Sequence, residues 1–241
     1  MLKQEDQVGW PSGYHQVQVA PLTPKRRMIM ITETQEGRPL KSGEWRTTEV
    51  ALRDARLMVS RTANRLVEIY NCLLPSSDPK RWTPVQKTTV DLFRHHFKSA
   101  KAMDALQVQQ AYRLILGALN AWQQTSFWVI NNAVARRESE GDIYAYVRGD
   151  APPIYLAECF FSEPPPGQVA PARGTPRLLT AAQRARILIH ETAHCKLGVG
   201  HRGGNFGFEY VNCAIGHKIQ SFEQAYDNAH VYDLLAYCAS Q

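Results

Sequence analysis

The stretch His190-Glu191-Thr192-Ala193-His194 constrains this chain more than any other. On an α-helix, residues i and i+4 share a face one turn apart, so two imidazoles can meet one divalent ion while the carboxylate between them reaches the ion's water. The spacing therefore demands a helix, and the flanking residues supply one. Thr180 with Gln183 three places on reads as a capping box, Ile187-Leu188-Ile189 carries the helix into the motif, and Gly198 and Gly200 end it. With 8 His and 13 Glu in 241 residues, the pattern arises by chance roughly 0.01 times per chain. A working site needs a rigid support with its metal side open, so a half-buried helix followed by a glycine-rich loop is expected.

At this length the chain can bury a substantial core as one domain with an appendage. We read residues 1–45 as an extended N-terminal arm and 46–241 as the catalytic domain. The hydrophobic fraction of 44% is that of a folded protein, and no apolar run approaches the ~18 residues of a membrane span. The start, Met1-Leu2-Lys3-Gln4-Glu5-Asp6, lacks the apolar stretch of an export signal. The expectation is a chain that stays inside the cell, leaves by a signal-independent route, or has been trimmed. Five cysteines form an odd set without CxxC, which argues against a metal knuckle, does not demand disulfides, and leaves at least one thiol. A net charge of +6 brings no nucleic-acid motif with it, and Arg53, Arg56, Arg61 and Arg65 fit the solvated face of a helix, so no nucleic-acid partner is expected.

Apolar residues recur at helical spacing from about Thr48 to Leu74, from Pro84 to about Lys98, and from about Asp104 to Trp122. The period then shortens to that of strands at 127–130, 143–147 and 154–161, after β-prone pieces at 16–19 and 28–32 in the arm. Residues 163–176 are a Pro/Gly-rich surface loop, the motif helix follows, and a last helix runs from about Ser221 to Cys238. The fold class is α+β, mostly helical with a small sheet, and the element order resembles that of a zincin catalytic domain, which implies a sheet above the motif helix whose edge strand takes substrate as an added strand. His95, His96 and His217 lack partner spacing, and Cys195 reads as packing.

This order resembles the aspzincins, the deuterolysin and lysine-specific metalloendopeptidase group of zincin-like peptidases. The resemblance rests on Ile154 to Phe161, on Leu188 to His194, and on Asp227-Asn228-Ala229-His230-Val231-Tyr232. It implies a zinc-dependent endopeptidase acting on protein or peptide, with His190 and His194 on Zn2+ and Glu191 as general base. In that family an Asp after the motif is the third ligand and a Tyr stabilises the transition state. Here Gly203 and Phe206 stand at those places.

Three protein ligands with one open position is the usual catalytic arrangement. His201, seven residues past His194, is the first choice for the third, with Glu209, Glu223 and Asp227 as alternatives. With Phe206 unable to donate, a hydroxyl from Tyr232 or Tyr210 is assigned to the oxyanion. Lysine-specific members carry two pocket acids where this chain has His230 and Asp233, so the resemblance carries only half of a lysine pocket. The chain is expected to be a bacterial effector or toxin with a cognate inhibitor or immunity protein. The alternative is a binding or scaffold protein on a decayed zincin fold.

Overall fold

The 31-residue helix α1 (Ser42–Cys72) packs one face against four other helices and leaves the opposite face, with Leu57 and Val67, exposed. Its buried positions, among them Ala51, Leu52, Ala55, Val59, Leu66 and Ile69, recur every three or four residues. It begins six residues before the apolar period does. Glu44 accepts the Lys41 backbone N–H at 2.8 Å and is gripped by Arg38 at 2.6 and 2.7 Å, which together with Trp45 packed against Phe127 secures the first turn. Residues 37–133, 135, 144–162, 179–204, 213 and 219–241 are described in this computed structural model, all within the contact unit Ile31–Gln241. The strands expected at 16–19 and 28–32 lie outside them.

Thr83 and Gln86 cap α2 (Pro84–Phe97) reciprocally, and Lys98 ends it in the left-handed region. Helix α3 (Ala102–Ala121) packs along α1. Arg56 departs from the solvated face assigned to it: its guanidinium donates to the Leu119 carbonyl at 2.8 and 2.9 Å, satisfying an acceptor that the end of α3 leaves open.

Four strands form one sheet in the order β1 (Arg38–Pro39), β2 (Phe127–Ile130), β4 (Ile154–Ala157), β3 (Ala145–Val147). The β2–β4 pair is parallel with Phe127 opposite Ile154, and the outer pairs are antiparallel. The strand expected over 154–161 stops at Ala157, and Glu158–Phe161 is a 3-10 turn. Its backbone groups have partners elsewhere: the Cys159 N–H donates to Asn132 Oδ1 at 2.8 Å, and Arg184 takes the Phe160 and Ser162 carbonyls at 2.7 Å each.

The motif helix α4 (Ala181–Leu197) is capped by Thr180 and Gln183 and closed by Gly198 at φ 65°, as the sequence predicts. It is not half-buried. From Arg184 to Ala193 every residue is buried, because α1, α3, the last helix and β3 surround it. Arg184 and Arg186 look like a polar face in the sequence, yet both are buried with their hydrogen bonds made. The last helix is two helices, α5 (Phe222–Tyr226) and α6 (Ala229–Ser240), parted at Asp227-Asn228. Cys213 bonds to Cys238 of α6, while Cys72, Cys159 and Cys195 remain thiols, all buried. Among the described residues no helix is long and apolar enough to cross a membrane.

Candidate metal centre

Helix α4 sets His190 and His194 one turn apart with their rings 4.5 Å apart, nearly perpendicular. Past the Gly198 cap the chain reverses and brings His201 beneath them. The Nε2 atoms of His190, His194 and His201 form a triangle with edges of 2.9, 2.9 and 3.1 Å. Zinc–nitrogen bonds of about 2.0–2.1 Å in tetrahedral geometry set donor atoms about 3.3 Å apart, so opening the triangle by a few tenths of an ångström fits it to zinc. The three run from buried (His190) through half-buried (His194) to exposed (His201), so the triangle opens to solvent on the His201 side.

What holds His201 is the break between α5 and α6. The side chain of Asn228, fully buried, donates to the carbonyls of Arg202 and Gly204 at 2.8 and 2.9 Å and caps α6 by accepting the His230 N–H. Asp227 accepts the Gly200 N–H at 3.1 Å through its carboxylate and the Arg202 N–H at 3.2 Å through its carbonyl. A continuous helix over this stretch would spend those groups on itself, and the loop would lose its anchor. Gly203, at φ 88°, has no room for a side chain, because a Cβ there would meet Ile219 at 2.9 Å.

The fold holds these imidazoles neutral. Burial, and then the charges of His230 and His194, hold His190 well below the usual histidine range. His194 is lowered too, chiefly by burial. His201 is pushed down to about 3, first by desolvation on the side facing the other rings, although its outer side is exposed. Lone pairs are therefore open to a cation at neutral pH.

Glu191 is buried, and burial together with the nearby Asp233 charge lifts its carboxyl to about 8. Burial would also raise Asp233, but the Arg186 charge and hydrogen bonds from His190 and His230 outweigh it and hold that group below its ordinary value. The consequence for metal-free protein has a definite sign. Glu191 is raised in the fold, so its contribution to stability is complete below its unfolded value near 4.5 and is lost as pH rises through about 8. The lowered histidines act in the opposite sense, adding stability as pH rises to about 6.5 and nothing further above it. In chelator the melting temperature is expected to fall between about pH 6.5 and 8, and Glu191→Gln to remove that fall. A wild-type curve flat over this window contradicts the assignment.

Asp233 sits at the bottom of the site. Its Oδ1 accepts from Arg186 at 2.7 and 2.6 Å, and its Oδ2 lies 3.3 Å from Nδ1 of both His190 and His230. His230 is buried, its ring 4.1 Å from that of His190 and 5.1 Å from that of His201. These two residues are where the resemblance puts a lysine pocket, but Asp233 is fully buried in an ion pair and is spent inside the protein. Arg186 precedes His190 by one helical turn, and that i, i+4, i+8 stripe of Arg186, His190 and His194 was the sequence signal for it.

The structure does not bring Tyr232 to the histidines. Its ring packs against Phe97, Tyr112 and Tyr226, and its hydroxyl donates to the Tyr226 carbonyl at 3.1 Å, so it is core and offers no donor to an oxyanion. Glu223 is exposed on α5, and Asp227 holds the His201 loop. Glu209, Tyr210, Phe206 and His217 lie outside the described residues.

No curated protein matches the sequence. A comparison with protein families does, over residues 83–237, which is more than half of the chain and contains α2, α3, most of the sheet and the whole histidine triangle. The match is to the lysine-specific metallo-endopeptidases, a family of zinc enzymes, and agrees with a mostly helical α+β chain that brings three imidazole nitrogens to one point. The chain belongs to the aspzincin family of metallo-endopeptidases.

Proposed function

We propose that this protein is a zinc-dependent endopeptidase whose ion is held by His190, His194 and His201, with Glu191 as the general base. The observation that supports it most is the Nε2 triangle, whose 2.9–3.1 Å edges suit one ion and leave its solvent side open. Zinc bound there supplies a Lewis acid for the scissile carbonyl and brings water to a pKa near ~7.

The chain's own groups do the rest. His190, His194 and His201 face the ion as neutral imidazoles. Glu191, next to His190 in a dry setting, takes the proton of the attacking water and returns it to the departing amine. Its raised pKa in the metal-free protein suits it to hold that proton between the two steps, and a cation beside it draws the pKa toward the working range. Among the described residues β3 is an edge of the sheet and packs against α4, so we assign Ala145–Val147 as the strand to which an extended peptide adds. With His201 in place of an Asp, the ligand set carries no charge of its own.

Purified protein is expected to bind one zinc per chain and to cleave an unfolded protein substrate, with both lost on chelation and both restored by added zinc. Stoichiometric zinc without cleavage of any unfolded substrate would instead support a scaffold on this fold.

A further inference from the structure

We propose that Asp233, anchored by Arg186, is a positioning residue for the metal centre: it fixes the ring of His190 through Nδ1 so that Nε2 faces the ion. This rests on the assignment of His190, His194 and His201 as ligands. A neutral imidazole that ligates through Nε2 carries its proton on Nδ1, and a buried N–H needs an acceptor. His194 has one in the Val199 carbonyl, 2.6 Å from its Nδ1. For His190, which is buried, the facing carboxylate is Asp233, whose Oδ2 lies 3.3 Å from Nδ1 at ion-pair distance, so that a small turn of the ring completes the hydrogen bond.

The two carboxylate oxygens divide the work. Oδ1 is taken by both Arg186 contacts, which hold the carboxylate's position and balance its charge in a dry interior. Oδ2 is left to face the imidazoles. The same oxygen lies 3.3 Å from Nδ1 of His230, whose ring flanks His190, so one carboxylate sets the orientation of both. Since Arg186 and His190 lie one turn apart on α4 while Asp233 comes from α6, the contact also ties the ligand's orientation to the packing of the two helices.

A salt bridge that merely joined α4 to α6 would leave zinc affinity untouched once its loss was compensated, and this separates the two roles. A buried ion pair replaced on both sides by apolar residues commonly keeps or gains stability. The full chain carrying Arg186→Met with Asp233→Leu is therefore expected to fold, melting below wild type only by the cost of the acceptor that Nδ1 of His190 and His230 lose, while binding zinc 10- to 100-fold more weakly in competition with a chelator of known affinity, the range typical of lost outer partners of a ligand. Asp233→Asn, close to an isostere, carries the same test should the double variant not fold, with weakened zinc binding again expected. Wild-type zinc affinity in either folded variant overturns the inference. If wild-type protein binds no zinc at the histidines, the assignment of the centre falls and this inference falls with it.

Discussion

Glu191→Gln is expected to bind zinc at wild-type stoichiometry and to hydrolyse peptide on the order of 10² to 10⁴-fold more slowly, the range assigned to a well-placed general base. The amide has the carboxylate's shape, so the buried space between α4 and its neighbours stays filled, but it cannot take a proton from water or give one to an amine. Because Glu191 follows His190 directly on a helix closed in by other elements, the substitution reaches the chemistry without loosening the ligands. Metal analysis and turnover on one preparation read both halves. Retained turnover would move the base elsewhere, and lost zinc would make Glu191 part of the ion's support.

His201→Ala is expected to weaken zinc binding on the order of 10² to 10³-fold and to abolish cleavage at limiting zinc. Zinc sites worth about 10–16 kcal/mol over four ligands assign about 3 kcal/mol to each. The partner control is Glu223→Gln, which should change neither quantity, because Glu223 is exposed on α5 with no contact to the triangle among the described residues. If Glu223→Gln costs zinc and His201→Ala does not, the third ligand is an acid after all. The distinction is chemical as well as positional: a third imidazole leaves the ligand set neutral, where an Asp would add a negative charge beside the ion.

The parts legible in the sequence are those decided by neighbours along the chain. Thr180 and Gln183 fix the start of α4 and Gly198 its end, Thr83 and Pro84 start α2, and the apolar run Phe127–Ile130 is a strand over those same residues. The pairing of His190 with His194 follows from the helical period alone. Hidden parts depend on partners far along the chain. Arg186 and Asp233 are 47 residues apart, and a charged pair reads as two solvated groups until packing brings them together. Asn228 reads as one polar residue within a helix, although its amide serves a loop 24 and 26 residues away and thereby splits that helix. Tyr232 stands next to Asp233 in sequence, but successive helical residues point about 100° apart, so one faces the histidines and the other the Phe97 and Tyr112 core.

The edge of Glu158–Phe161 carries the same lesson. Its apolar run suits a strand, yet Arg184 and Asn132 take its backbone groups and turn it into a 3-10 segment. Arg184 thus locks the end of β4 to the start of the motif helix, while Arg186 locks the middle of that helix to α6. Two arginines flanking Ala185 fix the helix that carries His190 and His194, the kind of rigid support the proposed site needs.

An anomalous difference map collected at the zinc edge from zinc-loaded crystals addresses the central claim most directly. One strong peak bonded to Nε2 of His190, His194 and His201 is expected, with its remaining position open toward solvent. A peak ligated by an acidic side chain in place of His201, or an ion closed off by a fourth protein ligand, would contradict it.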